Sequence, residues 1–153
     1  MDVSWVTTRI ATGSAVPPGE IASLRHEGIT SMTDTGITTV FDTRAEVNDA
    51  ALYVSAGVGY IWLPTVDDGL PKREEYWGAL LREVLPYCIM PWQRLLFQCG
   101  AGVNRGPSAA FCTMIGLGWL PEVAEARIRA VRPQVGLSYR DDVVRSCEVL
   151  GYL

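Results

Sequence analysis

A seven-residue turn between an apolar strand and a helix is the feature of this sequence that most constrains its fold. The turn is Cys99-Gly-Ala-Gly-Val-Asn-Arg105; the apolar run 95–97 precedes it, and a helical pattern begins at Pro107. Glycines within the turn, and one directly after it, allow the backbone to reverse direction over so few residues. A strand that leads into a helix in this way is typical of α/β proteins, whose ligands bind at the carboxyl ends of the strands.

The rest of the chain repeats this alternation of strands and helices. Residues 36–42 and 59–63 are rich in β-branched and aromatic side chains between turn residues, so both are predicted strands. Apolar residues recur at helical spacing across 73–88 and again in 122–131, where Pro121 suits a first helical turn. Ser138-Tyr-Arg-Asp141 has the spacing of a capping box and predicts the start of a last helix that ends at Gly151.

These elements predict one domain that spans residues 1–153. Strands separated by helices of this length form a mostly parallel central sheet flanked by helices on both faces. A chain of 153 residues, with 48% hydrophobic and 20% charged residues, can bury such a core in a single unit.

Charge and cysteine usage exclude several classes of function. The net charge of −4 gives no basic footprint for nucleic acid or for an anionic membrane surface, so neither is an expected partner. No apolar run approaches the roughly 20 residues of a membrane span, and no secretory signal is evident, which predicts a cytoplasmic protein with reduced thiols. The four cysteines and the single histidine, His26, lack zinc-ligand spacing. We therefore expect no metal and no other cofactor.

The 99–105 turn is suited to binding a phosphate-sized anion. Successive N–H groups in such a turn point inward as an anion nest, and the following helix adds the positive end of its dipole. A cysteine in that nest is favoured as a thiolate nucleophile, and Arg105 can clamp phosphoryl oxygens. Cys99 is thus the candidate nucleophile, while Cys88, Cys112 and Cys147 fit the core. The predicted phosphate-binding residues are Gly100, Ala101, Gly102, Val103, Asn104 and Arg105.

The stretch Gln98-Cys-Gly-Ala-Gly-Val-Asn-Arg-Gly-Pro-Ser108 resembles the signature loop of the protein tyrosine and dual-specificity phosphatases. Residues 10–14, 36–44 and 126–133 are also similar to segments of those domains, so the resemblance covers nearly the whole chain. It implies the dual-specificity phosphatase fold and a two-step reaction without metal. Cys99 would attack phosphorus, an aspartic acid would protonate the leaving oxygen, and water would then hydrolyse the phosphocysteine.

Two neighbouring residues are candidates for the acid in that reaction. Counting three residues from Pro64, as in many relatives, selects Asp67. The Asp-Asp-Gly of the phosphatase-of-regenerating-liver group, whose second aspartate is the acid, selects Asp68. We rank Asp67 first and keep both.

Two departures from the family pattern bear on the rate. Gln98 stands where relatives carry histidine, and Gly106 stands where they carry serine or threonine, so a less favoured thiolate and slower hydrolysis of the phosphoenzyme are expected. A phosphate-binding protein with weak or no turnover is therefore the alternative to an active phosphatase.

A rhodanese-like sulfurtransferase fits less well, because the helix at 126–133 does not match it. The 99–105 loop has no lysine for additional phosphates, so a phosphorylated protein or peptide is the predicted substrate.

Overall fold

The computed structural model describes residues 1–29 and 36–153 and shows an α/β fold built on one five-stranded sheet. The strands are β1 (Val3–Trp5), β2 (Ile10–Gly13), β3 (Thr39–Arg44), β4 (Gly59–Thr65) and β5 (Leu95–Gln98).

The strand order β1-β2-β5-β3-β4 places β5 at the centre of the sheet. β5 pairs in parallel with β2 and with β3, and β3 pairs in parallel with β4, whereas only β1 is antiparallel to its neighbour β2. The prediction of a mostly parallel sheet is therefore confirmed. Parallel strands end at the same edge, so the segments that follow β2, β3, β4 and β5 meet there.

Helices cover both faces of this sheet, as the sequence predicts. The α-helices are α1 (Ala50–Ala56), α2 (Glu74–Ile89), α3 (Arg105–Gly116), α4 (Pro121–Val131) and α5 (Arg140–Leu150), and a 3₁₀ helix spans Pro18–His26.

Alternating side chains of the central strands divide the core into two parts. Phe41 and Phe97 stack at 5.3 Å between ring centroids and pack with α2 to α5. Their neighbours Val40 and Leu96 point to the other face, where they pack with the 3₁₀ helix and with Tyr53 of α1. This division follows from the two-residue period of a strand, and it requires both faces to be covered.

The helix boundaries differ from the predicted ones at two functional positions. α3 begins at Arg105, two residues before the predicted start at Pro107. The predicted capping box is wrong, because α5 begins at Arg140 with no side-chain cap. The Ser138 hydroxyl instead donates to Oδ1 of Asn104 at 2.8 Å. The sequence analysis did not predict α1 or the 3₁₀ helix, which are only 7 and 9 residues long.

Candidate active site

The 99–105 loop lies at the carboxyl edge of the sheet, directly after the central strand β5. Cys99 follows the end of β5 and Arg105 begins α3, so one loop carries the candidate nucleophile and the candidate clamp. Cys99 is 2% exposed and Arg105 is 8% exposed. Both side chains are therefore largely shielded from water, which weakens the screening of their charges.

The carbonyl groups of residues 100–104 are bonded to the surroundings of this loop rather than to its interior. Because a peptide unit is planar, a carbonyl directed outward turns its N–H toward the inside of the loop. The hydrogen bonds run from Ala15 N to Gly100 O at 3.0 Å, Arg132 Nε to Gly102 O at 2.6 Å, Arg132 Nη2 to Ala101 O at 3.5 Å, Gly136 N to Val103 O at 3.0 Å and Ser108 N to Asn104 O at 2.9 Å.

Arg132, directly after α4, is the side chain that supports two of those carbonyls. It is 1% exposed, and its guanidinium also binds the Asp2 carboxylate at 2.6 Å and 2.9 Å. The hydrogen bond from Arg132 lowers the pKa of Asp2 to about 2. A buried arginine is thus neutralised by a residue next to the amino terminus and holds the loop from behind.

Glycine is required within the loop at position 102. Gly102 has a φ of 68°, in the left-handed region, and a Cβ there would lie 2.6 Å from the carbonyl carbon of Gly13. The loop therefore packs directly against the backbone that follows β2.

Arg105 is oriented by a carboxylate that the sequence analysis did not single out. Glu46, in the segment after β3, accepts from Nη1 at 3.0 Å and from Nη2 at 2.8 Å, and Thr65 O also accepts from Nη1 at 3.0 Å. This pairing lowers the pKa of Glu46 to about 2 and raises that of Arg105. No group among residues 1–29 and 36–153 accepts a hydrogen bond from the buried Nε of Arg105. The guanidinium is thus held through Nη1 and Nη2, whereas its Nε–H is available as a hydrogen-bond donor.

The two candidate acids point in different directions. Asp67 Oδ2 lies 4.0 Å from Arg105 Nε, and Asp67 Oδ1 accepts from the Tyr139 hydroxyl at 2.9 Å. Asp68 is paired with Lys72 Nζ at 2.8 Å, which lowers the pKa of Asp68. Of the two carboxylates, that of Asp67 faces the 99–105 loop.

Gln98 and Asn104 connect the ends of the loop to the fold. Oε1 of buried Gln98 accepts from Val16 N and from the Tyr53 hydroxyl, both at 3.2 Å. Oδ1 of Asn104 accepts from the backbone N–H of Ser138 at 3.2 Å in addition to its hydroxyl. Gln98 therefore anchors the loop to the segment after β2 and to α1, and Asn104 anchors it to the residues before α5.

The ion pair at the end of β3 and the remaining cysteines lie outside this site, in structural surroundings. Asp42 and Arg44, at the end of β3, form a buried ion pair at 2.7 Å that extends to Asp49. Cys112 and Cys147 are fully buried in the core, as expected, whereas Cys88 is only partly buried.

Within the described parts of the chain, no three histidine, cysteine, aspartate or glutamate residues gather as a metal site. Helices long and apolar enough to cross a membrane are also absent from the described residues.

Comparison with solved structures identifies the architecture. PTPMT1, solved in complex with PI(5)P, superimposes with a TM-score of 0.80 over 99% of this chain and 97% of its own, at 16% identity. The chain has the dual-specificity phosphatase fold. Tk-PTP in its active form gives a TM-score of 0.75 over 97% of both chains at 16% identity. Kinase associated phosphatase with its catalytic-site cysteine changed to serine gives 0.73 over 97% of this chain and 95% of its own, at 18% identity. By sequence, the chain matches no family model and no curated protein.

Proposed function

We propose that this protein is a cysteine-dependent phosphatase that removes phosphate from phosphotyrosine in proteins or peptides, with phosphoserine and phosphothreonine as further candidate substrates. The observation that carries the proposal is the construction of the 99–105 loop around Cys99. Its carbonyls are bonded outward, and the buried Nε of Arg105 has no hydrogen-bond acceptor among the described residues. An inward array of N–H groups beside an available guanidinium N–H is suited to a phosphate dianion.

The residues of this loop would carry the first chemical step. The Cys99 thiolate attacks phosphorus and forms the sulfur–phosphorus bond while the bond to the leaving oxygen breaks. The loop N–H groups and Arg105 stabilise the charge on the three non-bridging oxygens. Asp67 Oδ2 gives its proton to the leaving oxygen, so the alcohol or phenol departs neutral.

The second step would regenerate the thiolate. Asp67, now ionised, accepts a proton from a water molecule as that water attacks the phosphocysteine, and the sulfur–phosphorus bond breaks. Gly106 brings no hydroxyl to the Cys99 leaving group, so we expect this step to limit turnover. Asp68 remains the alternative acid, although its pairing with Lys72 supports Asp67.

A phosphoinositide is the second candidate substrate, because PTPMT1 has been solved with PI(5)P bound. The acidic side chains Glu46 and Asp67 lie beside Arg105, and the loop residues between Cys99 and Arg105 carry no charge. A headgroup with several phosphates would be repelled by the carboxylates and would find no lysine in the loop. This charge distribution favours a substrate with a single phosphate.

The test is hydrolysis of p-nitrophenyl phosphate in the presence of a metal chelator, followed by a phosphotyrosine peptide, a phosphothreonine peptide and PI(5)P. We expect turnover that vanadate inhibits and that Cys99→Ser and Arg105→Ala abolish. Asp67→Ala should lower peptide hydrolysis about 100-fold or more, and Asp68→Ala should have a small effect.

Other results would replace the proposal. Folded wild-type protein with neither turnover nor a stoichiometric burst of product would leave phosphate binding as the function. Faster hydrolysis of PI(5)P than of the peptides would make the lipid the substrate. A larger loss in Asp68→Ala than in Asp67→Ala would reassign the acid.

A further inference from the structure

The segment directly before α5 contacts both halves of the candidate active site. Asn104 of the 99–105 loop accepts from the N–H and hydroxyl of Ser138, and Asp67 accepts from the hydroxyl of the next residue, Tyr139. Two consecutive residues thus join the anion-binding loop to the candidate acid. Neither contact takes part in the proposed reaction steps.

The backbone of this segment is held firmly enough to position those side chains. The N–H groups of Gly136 and Leu137 both donate to Val103 O, at 3.0 Å and 3.3 Å. Leu137 has a φ of 50° although it carries a Cβ, and it is buried. A left-handed backbone at a non-glycine residue costs free energy, so the surrounding contacts must impose it.

Tyr139 is placed to act on Asp67 through one hydroxyl group. The hydroxyl accepts from Gly69 N at 3.0 Å and donates to Asp67 Oδ1 at 2.9 Å, and the residue is only 1% exposed. A hydroxyl has a single proton, and Asp67 Oδ1 at 2.9 Å is a closer acceptor than Val66 O at 3.5 Å, so that proton is directed at Oδ1. Oδ2, the oxygen that faces Arg105, takes no part in this bond and is the oxygen from which the proposed mechanism donates the proton.

Other bonds hold the rest of the 66–72 loop independently of Tyr139. Asp142 of α5 accepts from Lys72 N at 2.7 Å and from Trp77 Nε1 at 2.8 Å. Lys72 Nζ donates to Val66 O at 2.7 Å. The loop should therefore keep its course when the Tyr139 hydroxyl is removed, although the Asp67 side chain and the N–H of Gly69 lose their partner.

We infer that Tyr139 is the positioning residue for the general acid, orienting the Asp67 carboxyl so that Oδ2 presents its proton to the leaving oxygen. This inference rests on the proposed phosphatase function and adds a residue to it. Tyr139 does not touch the substrate. Its contribution should appear only where the reaction needs a proton on the leaving group.

Tyr139→Phe tests the inference, because it removes the hydroxyl and keeps the buried ring. The measurement is kcat/KM, which reports the step that forms the phosphocysteine, for p-nitrophenyl phosphate and for phenyl phosphate. Phenol is the poorer leaving group and depends more on protonation. We expect about a tenfold loss with phenyl phosphate and less than a threefold loss with p-nitrophenyl phosphate.

Tyr76→Phe is the matched control, since the Tyr76 hydroxyl donates to Leu63 O of β4 at 2.8 Å and not to the 66–72 loop. It should not change the ratio of the two kcat/KM values. In a double-mutant cycle, Tyr139→Phe should have no further effect on that ratio once Asp67 is changed to Asn. Thermal unfolding of each variant shows whether the fold is kept.

The outcomes separate this inference from the proposed function. Wild-type protein without turnover would overturn the phosphatase proposal itself. With active wild type, an unchanged ratio in Tyr139→Phe, equal losses on both substrates, or the same effect of Tyr139→Phe in the Asp67→Asn background would overturn the role of Tyr139. If Tyr139→Phe does not fold, replacement of Tyr139 by 3-fluorotyrosine, which keeps the ring and makes its hydroxyl a stronger donor to Asp67 Oδ1, must change the ratio or the inference fails.

Discussion

At the residue scale, the orientation of Arg105 depends on a carboxylate 59 positions earlier in the chain. Glu46 takes one hydrogen of Nη1 and one of Nη2, which fixes the plane of the guanidinium. The remaining edge, with Nε, is available for an anion. A bidentate carboxylate restricts an arginine more than a single contact does, because two parallel bonds define both position and plane.

Glu46→Gln should reduce kcat/KM by about 10- to 100-fold. The amide NH₂ of the glutamine would face a guanidinium N–H, so two donors would oppose each other and Arg105 would turn out of its productive plane. Inhibition by vanadate should weaken in parallel. The measurement is steady-state kinetics with p-nitrophenyl phosphate, with Glu83→Gln on the exposed side of α2 as the control. Equal activity of Glu46→Gln and wild type would show that Arg105 does not need this partner.

At the element scale, the start of α3 packs on the backbone at the end of β5. A Cβ at Gly106 would lie 3.0 Å from Phe97 O, 3.1 Å from the carbonyl carbon of Gln98 and 3.2 Å from Cys99 N. These are main-chain atoms of the central strand, which has little freedom to move. Glycine at this position therefore allows α3 to approach β5 closely, and it leaves the position without a hydroxyl.

Gly106→Ser should destabilise the protein by about 1–3 kcal/mol, as expected for a side chain inserted into a packed region. The expected result is a lower Tm without a faster breakdown of the phosphoenzyme, because the start of α3 must shift to admit the side chain and carries the new hydroxyl away from Cys99. Gly19→Ser is the control, because a Cβ at Gly19 meets nothing within 4 Å. Wild-type stability with faster turnover in Gly106→Ser would instead mean that the helix and strand adjust and that the hydroxyl alone was missing.

At the scale of the whole molecule, residues near the amino terminus and after α4 meet behind the 99–105 loop. Asp2 pairs with Arg132, and Arg132 binds Gly102 O. Arg132 is 1% exposed, so loss of the Asp2 carboxylate leaves the buried charge of Arg132 unpaired. Distant parts of the sequence thus support the same few carbonyl groups.

Asp2→Asn should lower the free energy of unfolding by about 1 kcal/mol at pH 6. The pKa of Asp2 falls from 3.8 to about 2 in the folded state, so the charged carboxylate stabilises the fold above pH 3.8 and that contribution disappears as the pH falls toward 2. Urea unfolding at pH 6, 4 and 3 should therefore show a difference between wild type and variant that shrinks with falling pH. Asp141→Asn, at a side chain that is 93% exposed, is the control.

A difference between wild type and Asp2→Asn that stays constant from pH 6 to pH 3 would contradict this account. It would mean that the Asp2 side chain stabilises the fold through packing or neutral hydrogen bonds rather than through its charge.

The sequence by itself determined the α/β class, the strands β3 to β5, the helices α2 to α5 and the position of the 99–105 loop. These follow from local information: strand and helix periods, glycines that permit a sharp turn, and a cysteine and an arginine whose spacing lies within one turn. It left Asp67 and Asp68 as alternatives, since both belong to the same turn and differ only in which way they face. Tertiary structure turned Asp67 toward Arg105 and paired Asp68 with Lys72.

Only the tertiary structure brought the supporting residues to the site. Glu46, Arg132 and Tyr139 contact Arg105, Gly102 and Asp67 from positions 30 to 72 residues away. Side chains at such separations leave no periodic signal, and an arginine before a proline or a serine before a helix has an ordinary local explanation. The predicted capping box is wrong for the same reason: the hydroxyl of Ser138 donates to Asn104, which lies 34 residues earlier in the chain. Local propensity decides where elements form, whereas hydrogen bonds between distant segments depend on how those elements pack.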